Sequence, residues 1–472
     1  MTDISPSAIV IGAGISGLTC AYRLRRRGVS VLLLEAASRA GGMIRTVRQD
    51  DGFLFELGPQ SCLVDAPLLA LIEELGLAEN LLRANSRAPR YVLHRGRLRR
   101  VPLGPAALLG TSLFGARTKL RLVADLIRRT RPPDQDESVG TLVRRKFGDE
   151  ILERIVAPMV SGIYAGDADA ISVSAAFPSL RRYELEHGSI LRGALKSRPA
   201  KGELRPSLCS FSEGMETLPI ALAKSLGDAL WCDTQVHSIR RGAADISGNS
   251  HDAQFQIEIV RRGARETLSA AAVIVATPCD ASAAILSGVS EQFAETFQRI
   301  EYAPVAVVSA GYARKSIGNA LDGFGFLVPR GEGLHLLGNV WSSSLFPDRA
   351  PAGHVSLASF AGGTTDPEFC ALPDSEIAAQ ITKELAHILR ISAPPVALRV
   401  QTYARALPQY TLDHVNIVQS LASLTASTAG LFLAGNYLAG PSVGACVAQA
   451  TQTSDAVIAH LANGQSRAAS GE

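Results

Sequence analysis

Ala8-Ile9-Val10-Ile11-Gly12-Ala13-Gly14-Ile15-Ser16-Gly17 is an apolar run that enters three glycines at the spacing Gly-x-Gly-x-x-Gly. The first four residues read as a buried strand, and apolar residues at helical spacing over 15–27 read as a helix, so the glycines fall in a strand-to-helix turn. Gly12 permits the tight turn, Gly14 lets backbone approach a diphosphate, and Gly17 lets the helix lie close on the strand. The diphosphate is then expected against unpaired amides at the positive end of the helix. A second strand is expected over 29–34, with Glu35 at its tip placed to accept hydrogen bonds from ribose hydroxyls. The glycine turn alone is a weak signal, but strand, helix, strand and acid in register point to a dinucleotide.

The next residues separate FAD from NAD. Arg39 offers a cation to phosphate, and the pair Gly41-Gly42 lets the chain pass close to a cofactor where a side chain would collide. An NAD site has no need of that second glycine pair. Near the other end, 430–434 reads as a further buried strand leading through Leu433-Ala434-Gly435-Asn436 to Gly440 and Gly444. A helix is expected over 443–461, whose N-terminus would favour the negative charge of a reduced flavin at its pyrimidine edge. Both ends of the chain are thus expected to close one FAD site.

At 472 residues the chain exceeds what one compact core holds, so two or three domains are expected. A hydrophobic content of 47% against 19% charged is globular and leans apolar. Seven cysteines, odd in number and never in a Cys-x-x-Cys pair, argue against a disulfide framework or a zinc site and fit a reducing compartment. No metal is expected. The first strand begins within a few residues of Met1, which leaves no room for a signal peptide, and no apolar run reaches the roughly 18 residues of a spanning helix. Cytoplasmic residence follows as the expectation, with any membrane contact peripheral, on the inner face.

The dinucleotide fold is interrupted twice. Strands over 235–240, 255–261 and 271–277 form what looks like a second cofactor lobe, with Val236 set against adenine and Ala276-Thr277 closing a buried run. A first insertion is helical and basic: between Arg90 and Lys146 there are 14 Lys or Arg against 4 Asp or Glu. Within it, 116–130 places Leu120, Val123 and Ile127 on one face and Arg117, Lys119, Arg121 and Arg128 elsewhere. That is either a core-packing helix with a solvated face or a membrane-surface helix. Nucleic acid is disfavoured, since no recognition fold or aromatic platform accompanies the charge. A second insertion, rich in Phe, Gly and Leu, suits a domain that lines an apolar cavity over the flavin. The chain is therefore expected to be α/β, α+β overall. A discontinuous Rossmann-like FAD-binding domain is expected from 1–85, 206–285 and 424–465. A helical, membrane-associating domain takes 86–205, a mixed-sheet substrate domain 286–423, and a flexible tail 466–472.

Ser161-Gly162-Ile163-Tyr164-Ala165-Gly166-Asp167, the run 337–351 around Ser342-Ser343-Ser344-Leu345-Phe346-Pro347, Leu407-Pro408-Gln409-Tyr410 with His414, and Gly435-Asn436-Tyr437 together resemble the protoporphyrinogen IX oxidase family. The likeness is to its plant-plastid and bacterial type, within the amine oxidase and phytoene desaturase superfamily of flavoproteins. The glycine motifs mark only the superfamily; the 161–167 and 342–347 segments are far more specific. The resemblance implies oxidation of a porphyrinogen to a porphyrin in three hydride transfers to flavin N5, with O2 as acceptor and H2O2 released. No protein side chain is then needed as catalyst, and the protein supplies placement and desolvation. It implies a propionate-pairing role for Arg90, a pyrrole sandwich between Leu337 and Phe360 with Leu327 nearby, and backbone contact at Gly162. The implied cofactor set is Gly12, Ala13, Gly14, Ile15, Ser16, Gly17, Glu35, Ala36, Arg39, Gly41, Gly42, Met43, Gly58, Pro59, Val236, Ala276, Thr277, Gly435, Asn436, Val443 and Val447. The sequence departs from the family at Gly444-Ala445-Cys446-Val447-Ala448, where Arg and Glu often stand. Coproporphyrinogen III oxidation, amine or carotenoid oxidation, and a non-catalytic tetrapyrrole carrier remain as rival readings, and monomer or homodimer stays open.

Overall fold

The computed structural model describes residues 6–102, 104–197, 207–242 and 255–470. Its first organising unit is a five-stranded parallel sheet in the order Leu230–Trp231, Val31–Leu34, Ala8–Ile11, Ala272–Val275, Leu431–Leu433. The runs AIVI, VLLL and AVIV are buried at every position. Continuous apolar strands of this kind need cover on both faces. One face carries the helices Ile15–Arg26 and Val443–Ser470, meeting it through Leu18, Leu24, Val447 and Val457. The other carries the three-stranded antiparallel sheet Thr234–Arg241, Phe255–Arg261, Ala264–Ala270 and the helix Cys279–Leu286.

The second unit is a seven-stranded sheet in the order Ala397–Pro408, Tyr302–Ala313, His354–Gly362, Leu336–Val340, Gly325–Leu327, Arg90–His94, Arg97–Arg100. Pairing is antiparallel throughout except between Gly325–Leu327 and Arg90–His94. Its core face packs on the helix Asp374–Leu389. Ala165, Val305, Val307, Leu337 and Ala406 cluster on the opposite face.

The structure redraws the expected boundaries in three places. The hairpin over 90–100, expected in the helical segment, extends the large sheet, and Val92 and Leu93 bury themselves on opposite sides of it, one against the helices and one in the sheet core. Helices Glu291–Gln298 and His414–Ala426, expected with the substrate sheet, instead press Phe293, Phe297, Ile417 and Leu421 against the parallel sheet beside Ile9 and Ile11. The last helix continues to Ser470, through most of the expected tail. The junction at 205/206 lies outside the described residues.

Between residues 105 and 196 the chain is helical and centred on Leu142, Val143, Val160 and Ile171. Charges are buried there as a network: Lys146 Nζ lies 2.9 Å from both Asp125 Oδ1 and Glu184 Oε1, and Arg145 joins Glu184 to Glu137. In helix Ala116–Ile127 the buried positions are Thr118, Leu122 and Asp125. Leu120 and Ile127 are 70% and 73% exposed, with Val123 between them at 37%, so the apolar stripe faces outward rather than into a core. No helix among the described residues is long and apolar enough to cross a membrane. The seven cysteines are free, and burial pushes the Cys20, Cys62 and Cys279 thiols up to about 12, which keeps them protonated.

Candidate cofactor and substrate site

Four parallel strands end on one cavity of about 830 Å³, and the residues that follow them line it: Gly12 after Ile11, Glu35 after Leu34, Ala276 after Val275, and Gly435 beyond Leu433. The carboxyl edge of such a sheet is where ligands bind in open α/β folds. At the turn, Gly12 has φ +97° and a Cβ there would stand 2.8 Å from Ala276 O; at Gly17 it would stand 1.8 Å from Gly12 O. Both positions need glycine for the fold itself. Gly14 differs, because a Cβ there meets no protein atom within 4 Å. Gly14 is the N-cap of Ile15–Arg26, which has no side-chain cap, so the open floor of the cavity adjoins the positive end of a helix.

Glu35 holds this turn as well as facing the cavity. Its Oε2 accepts the Ala13 N–H at 2.6 Å and its Oε1 the Ala37 N–H at 2.9 Å, and each oxygen retains a lone pair for a further donor. The second glycine pair docks on the first: Gly41 N–H donates to Ala13 O at 2.8 Å, and a Cβ on Gly42 would lie 3.3 Å from Gly14 Cα. Arg39, expected as a cation for phosphate, is tied into the glycine loop. Its guanidinium donates to Ala40 O, Gly42 O and Ile44 O and pairs with Glu216 at 3.0 Å, so it shapes the glycine loop. Ile15, Ser16, Ala36, Met43, Gly58, Pro59, Val236, Thr277, Asn436 and Val443 line the cavity; Ala13, Gly17 and Val447 stand behind the wall, the last fully buried in the core.

The C-terminal contribution is braced from beneath. Tyr410 Oη donates to Asn436 O at 2.5 Å, its ring stacks on His414 at 4.0 Å, and His414 Nε2 lies 2.9 Å from Tyr437 O. Burial holds the His414 pKa below the usual imidazole range, so the ring is neutral with the proton on Nε2. Tyr437 is fully buried under Gly435 and packs on Phe297, away from the cavity. Ser442 and Cys446, at the start of Val443–Ser470, complete this side.

The same cavity continues along the large sheet as an apolar slot. Gly162, Leu337 and Phe360 line it, and Leu327 sits behind: its Cδ2 would lie 2.8 Å from a Cβ on Gly162 and 3.1 Å from one on Gly338. Arg90 is exposed and outside the wall, its guanidinium carbon 5.5 Å from the ring centroid of Phe324, which does line the slot. Sequence reasoning missed Val305, Val307, Phe324, Leu407 and Arg405. The run 302–308 reads as a buried strand, but period-two alternation in an all-apolar run does not say which side meets the slot. Tyr403, four residues before Leu407-Pro408-Gln409, also lines it.

An open backbone floor at a bare helix start, a carboxylate at the second strand tip and a long cavity suit a dinucleotide whose far end is a flat ring. Residues 15–458 match the family model for flavin-containing amine oxidoreductases. The chain is 33% identical to the chloroplastic protoporphyrinogen oxidase of Oryza sativa subsp. japonica over 97% of its own length and 89% of that protein. It is 28% identical to the coproporphyrinogen III oxidase of Bacillus subtilis (strain 168), over 95% and 97%. A crystal structure from Exiguobacterium sp. 255-15 shares the fold at a TM-score of 0.81, with 24% identity and 96% and 99% of the two chains covered. The chain belongs to the flavin-containing amine oxidoreductase family and is an FAD-dependent oxidoreductase.

Proposed function

We propose that this enzyme oxidises protoporphyrinogen IX to protoporphyrin IX in tetrapyrrole biosynthesis. Six hydrogens leave the macrocycle in three rounds, and three O2 become three H2O2. The observation that carries this reading is the continuity of the cofactor cradle with an apolar slot in one cavity. Bound FAD supplies the two-electron acceptor. Everything else falls to the chain: Gly14 and Gly41-Gly42 would admit the diphosphate, Glu35 would take the ribose, and Leu337, Phe360, Val305 and Val307 exclude water and hold a flat apolar ring. Gly162 brings backbone against the macrocycle, and Arg90 at the rim meets a propionate. No titrating side chain has to act as catalyst, because positioning and desolvation are what a bound redox cofactor asks of its protein.

Peripheral binding at the inner face of a membrane, from the cytoplasm, accompanies this reading. The outward Leu120, Val123 and Ile127 flanked by Arg117, Lys119 and Arg121 form the two-sided surface such binding needs. Coproporphyrinogen III is the second reading, supported by the 28% identical relative of that name. Oxygen uptake with the two porphyrinogens side by side tests both, with porphyrin fluorescence as the product signal; if neither gives peroxide, both readings fall. Arg90→Ala should raise KM severalfold with kcat little changed, as expected for an exposed carboxylate clamp that binds ground and transition states alike. An unchanged KM would remove Arg90 from the site.

A further inference from the structure

Glu35 and Arg405 are the two charged side chains in the cavity wall among the described residues. Glu35 is engaged with the cofactor turn, whereas Arg405 has no contact with that turn. It lies on strand Ala397–Pro408, where the ladder with Tyr302–Ala313 slips: Ala303 faces Leu407 but Val305 faces Tyr403. One residue of one strand, Pro304, stands against three of the other, Ala404 to Ala406, and Pro304 has no N–H to give. A regular strand shows alternate residues to one side. At this bulge Arg405, Ala406 and Leu407 all line the cavity in succession.

Ala406 and Leu407 belong to the apolar cluster that holds Leu337 and Phe360, so Arg405 stands beside the slot. Its Nη1 is 2.7 Å from Asp280 Oδ2, and the two side chains keep 57% and 48% exposure. Asp280 begins the helix that follows the cofactor strand Ala272–Val275, so the pair joins the two sheets at the edge of the slot. One carboxylate leaves several of the five guanidinium donors free. Arg405 and Arg90 are also well separated. Their strands lie five steps apart in the sheet order, roughly 24 Å along the hydrogen-bonding direction.

We infer that Arg405 is a second carboxylate-binding residue, held by Asp280 at the opposite end of the slot from Arg90. It lets the site grip tetrapyrroles that carry carboxylates on both edges. This rests on the tetrapyrrole reading above.

The test is titration of the oxidised holoenzyme with coproporphyrin III and with its tetramethyl ester, followed by porphyrin fluorescence. The wild type should prefer the acid. Arg405→Gln should weaken the acid roughly three- to tenfold and leave the ester unchanged, the size expected for a partly exposed charge pair. Asp280→Asn, which removes the competing carboxylate, should tighten the acid about two- to threefold. A pair that merely braces the two sheets would not move the two variants in opposite directions. Equal acid affinity in wild type and Arg405→Gln would overturn the inference, as would weaker FAD binding with porphyrin affinity intact. A wild type that binds neither porphyrin and oxidises neither porphyrinogen would remove the tetrapyrrole reading, and this inference with it.

Discussion

Gly14→Ala separates a glycine kept for a ligand from glycines kept for the fold. The native φ of −68° and ψ of 177° at Gly14 suit alanine, and its Cβ would touch no protein atom within 4 Å. Replacing a glycine N-cap by alanine costs roughly 0.5–1.5 kcal/mol, and the narrower unfolded ensemble returns about 0.4–1 kcal/mol, so apo stability should stay within about 1 kcal/mol. The added methyl points into the cavity where the diphosphate must approach the helix amides. Losing one charge-assisted hydrogen bond there costs about 1.5–3 kcal/mol, a rise in the FAD Kd of roughly 10- to 150-fold. Gly17→Ala is the contrasting control: its Cβ at 1.8 Å from Gly12 O forces the turn apart, so it should lose stability with or without cofactor. Thermal unfolding of apo protein by circular dichroism and FAD titration by flavin fluorescence read the two effects separately. A Gly14→Ala protein with FAD affinity within twofold of wild type would refute the placement of the diphosphate. An apo protein weakened by more than about 2 kcal/mol would refute the claim that the site is sterically open.

The other predictions concern what supports and surrounds the site. At Glu184, burial alone would raise the carboxyl pKa, but hydrogen bonds from Arg145, Thr130 and Lys146 overcome it and hold the group down at about 2. A carboxyl depressed in the folded state stabilises above its unfolded pKa, so this contribution should be lost as pH falls from about 4.5 toward 2. Glu184→Gln should flatten that acid limb and cost about 2–4 kcal/mol at neutral pH, read by helical circular dichroism, and an unshifted acid midpoint would count against the network. Arg349 is 1% exposed and donates to Ser210 Oγ, Phe211 O and Ser212 O, so Arg349→Met should strand three acceptors and cost about 2–4 kcal/mol in urea unfolding. Less than 1 kcal/mol would mean the acceptors find other partners. Leu120→Glu with Ile127→Glu should change stability by at most about 0.5 kcal/mol per site while abolishing co-sedimentation with anionic vesicles; retained sedimentation would place any membrane contact elsewhere.

The cofactor half of the molecule was legible because its constraints are local. Gly12 and Gly17 collide with backbone five residues apart or with the next strand over, and the strands around them are unbroken apolar runs, so spacing alone reports them. What escaped depends on distant chain. Arg39 reads as a free cation until Glu216, 177 residues away, takes its charge. The hairpin over 90–100 reads as part of a helical insertion until Gly325 pairs with Arg90. A helical stripe of Leu120, Val123 and Ile127 is visible in the sequence, but its period says nothing about which side the rest of the chain covers.

The 337–351 segment teaches a different lesson. Its 342–347 stretch is one of the two specific parts of the likeness to a known family, yet Trp341, Phe346 and Arg349 are buried structural groups, and Arg349 fastens the strand Ser207–Phe211 to the segment leading into the seven-stranded sheet. Leu337 and Val340 are its members in the slot wall. Such a segment identifies a lineage because many buried contacts depend on it at once, and that says little about which residues touch substrate. Arg405 is the converse. It belongs to no motif, and only the slip in the ladder at Pro304 turns it toward the cavity, so a charge that periodicity assigns to either face of a strand becomes the one cation in the wall among the described residues. Irregular backbone along the slot therefore places wall residues that the recognisable segments do not reveal, even though 161–167 contributes Gly162 to the same wall.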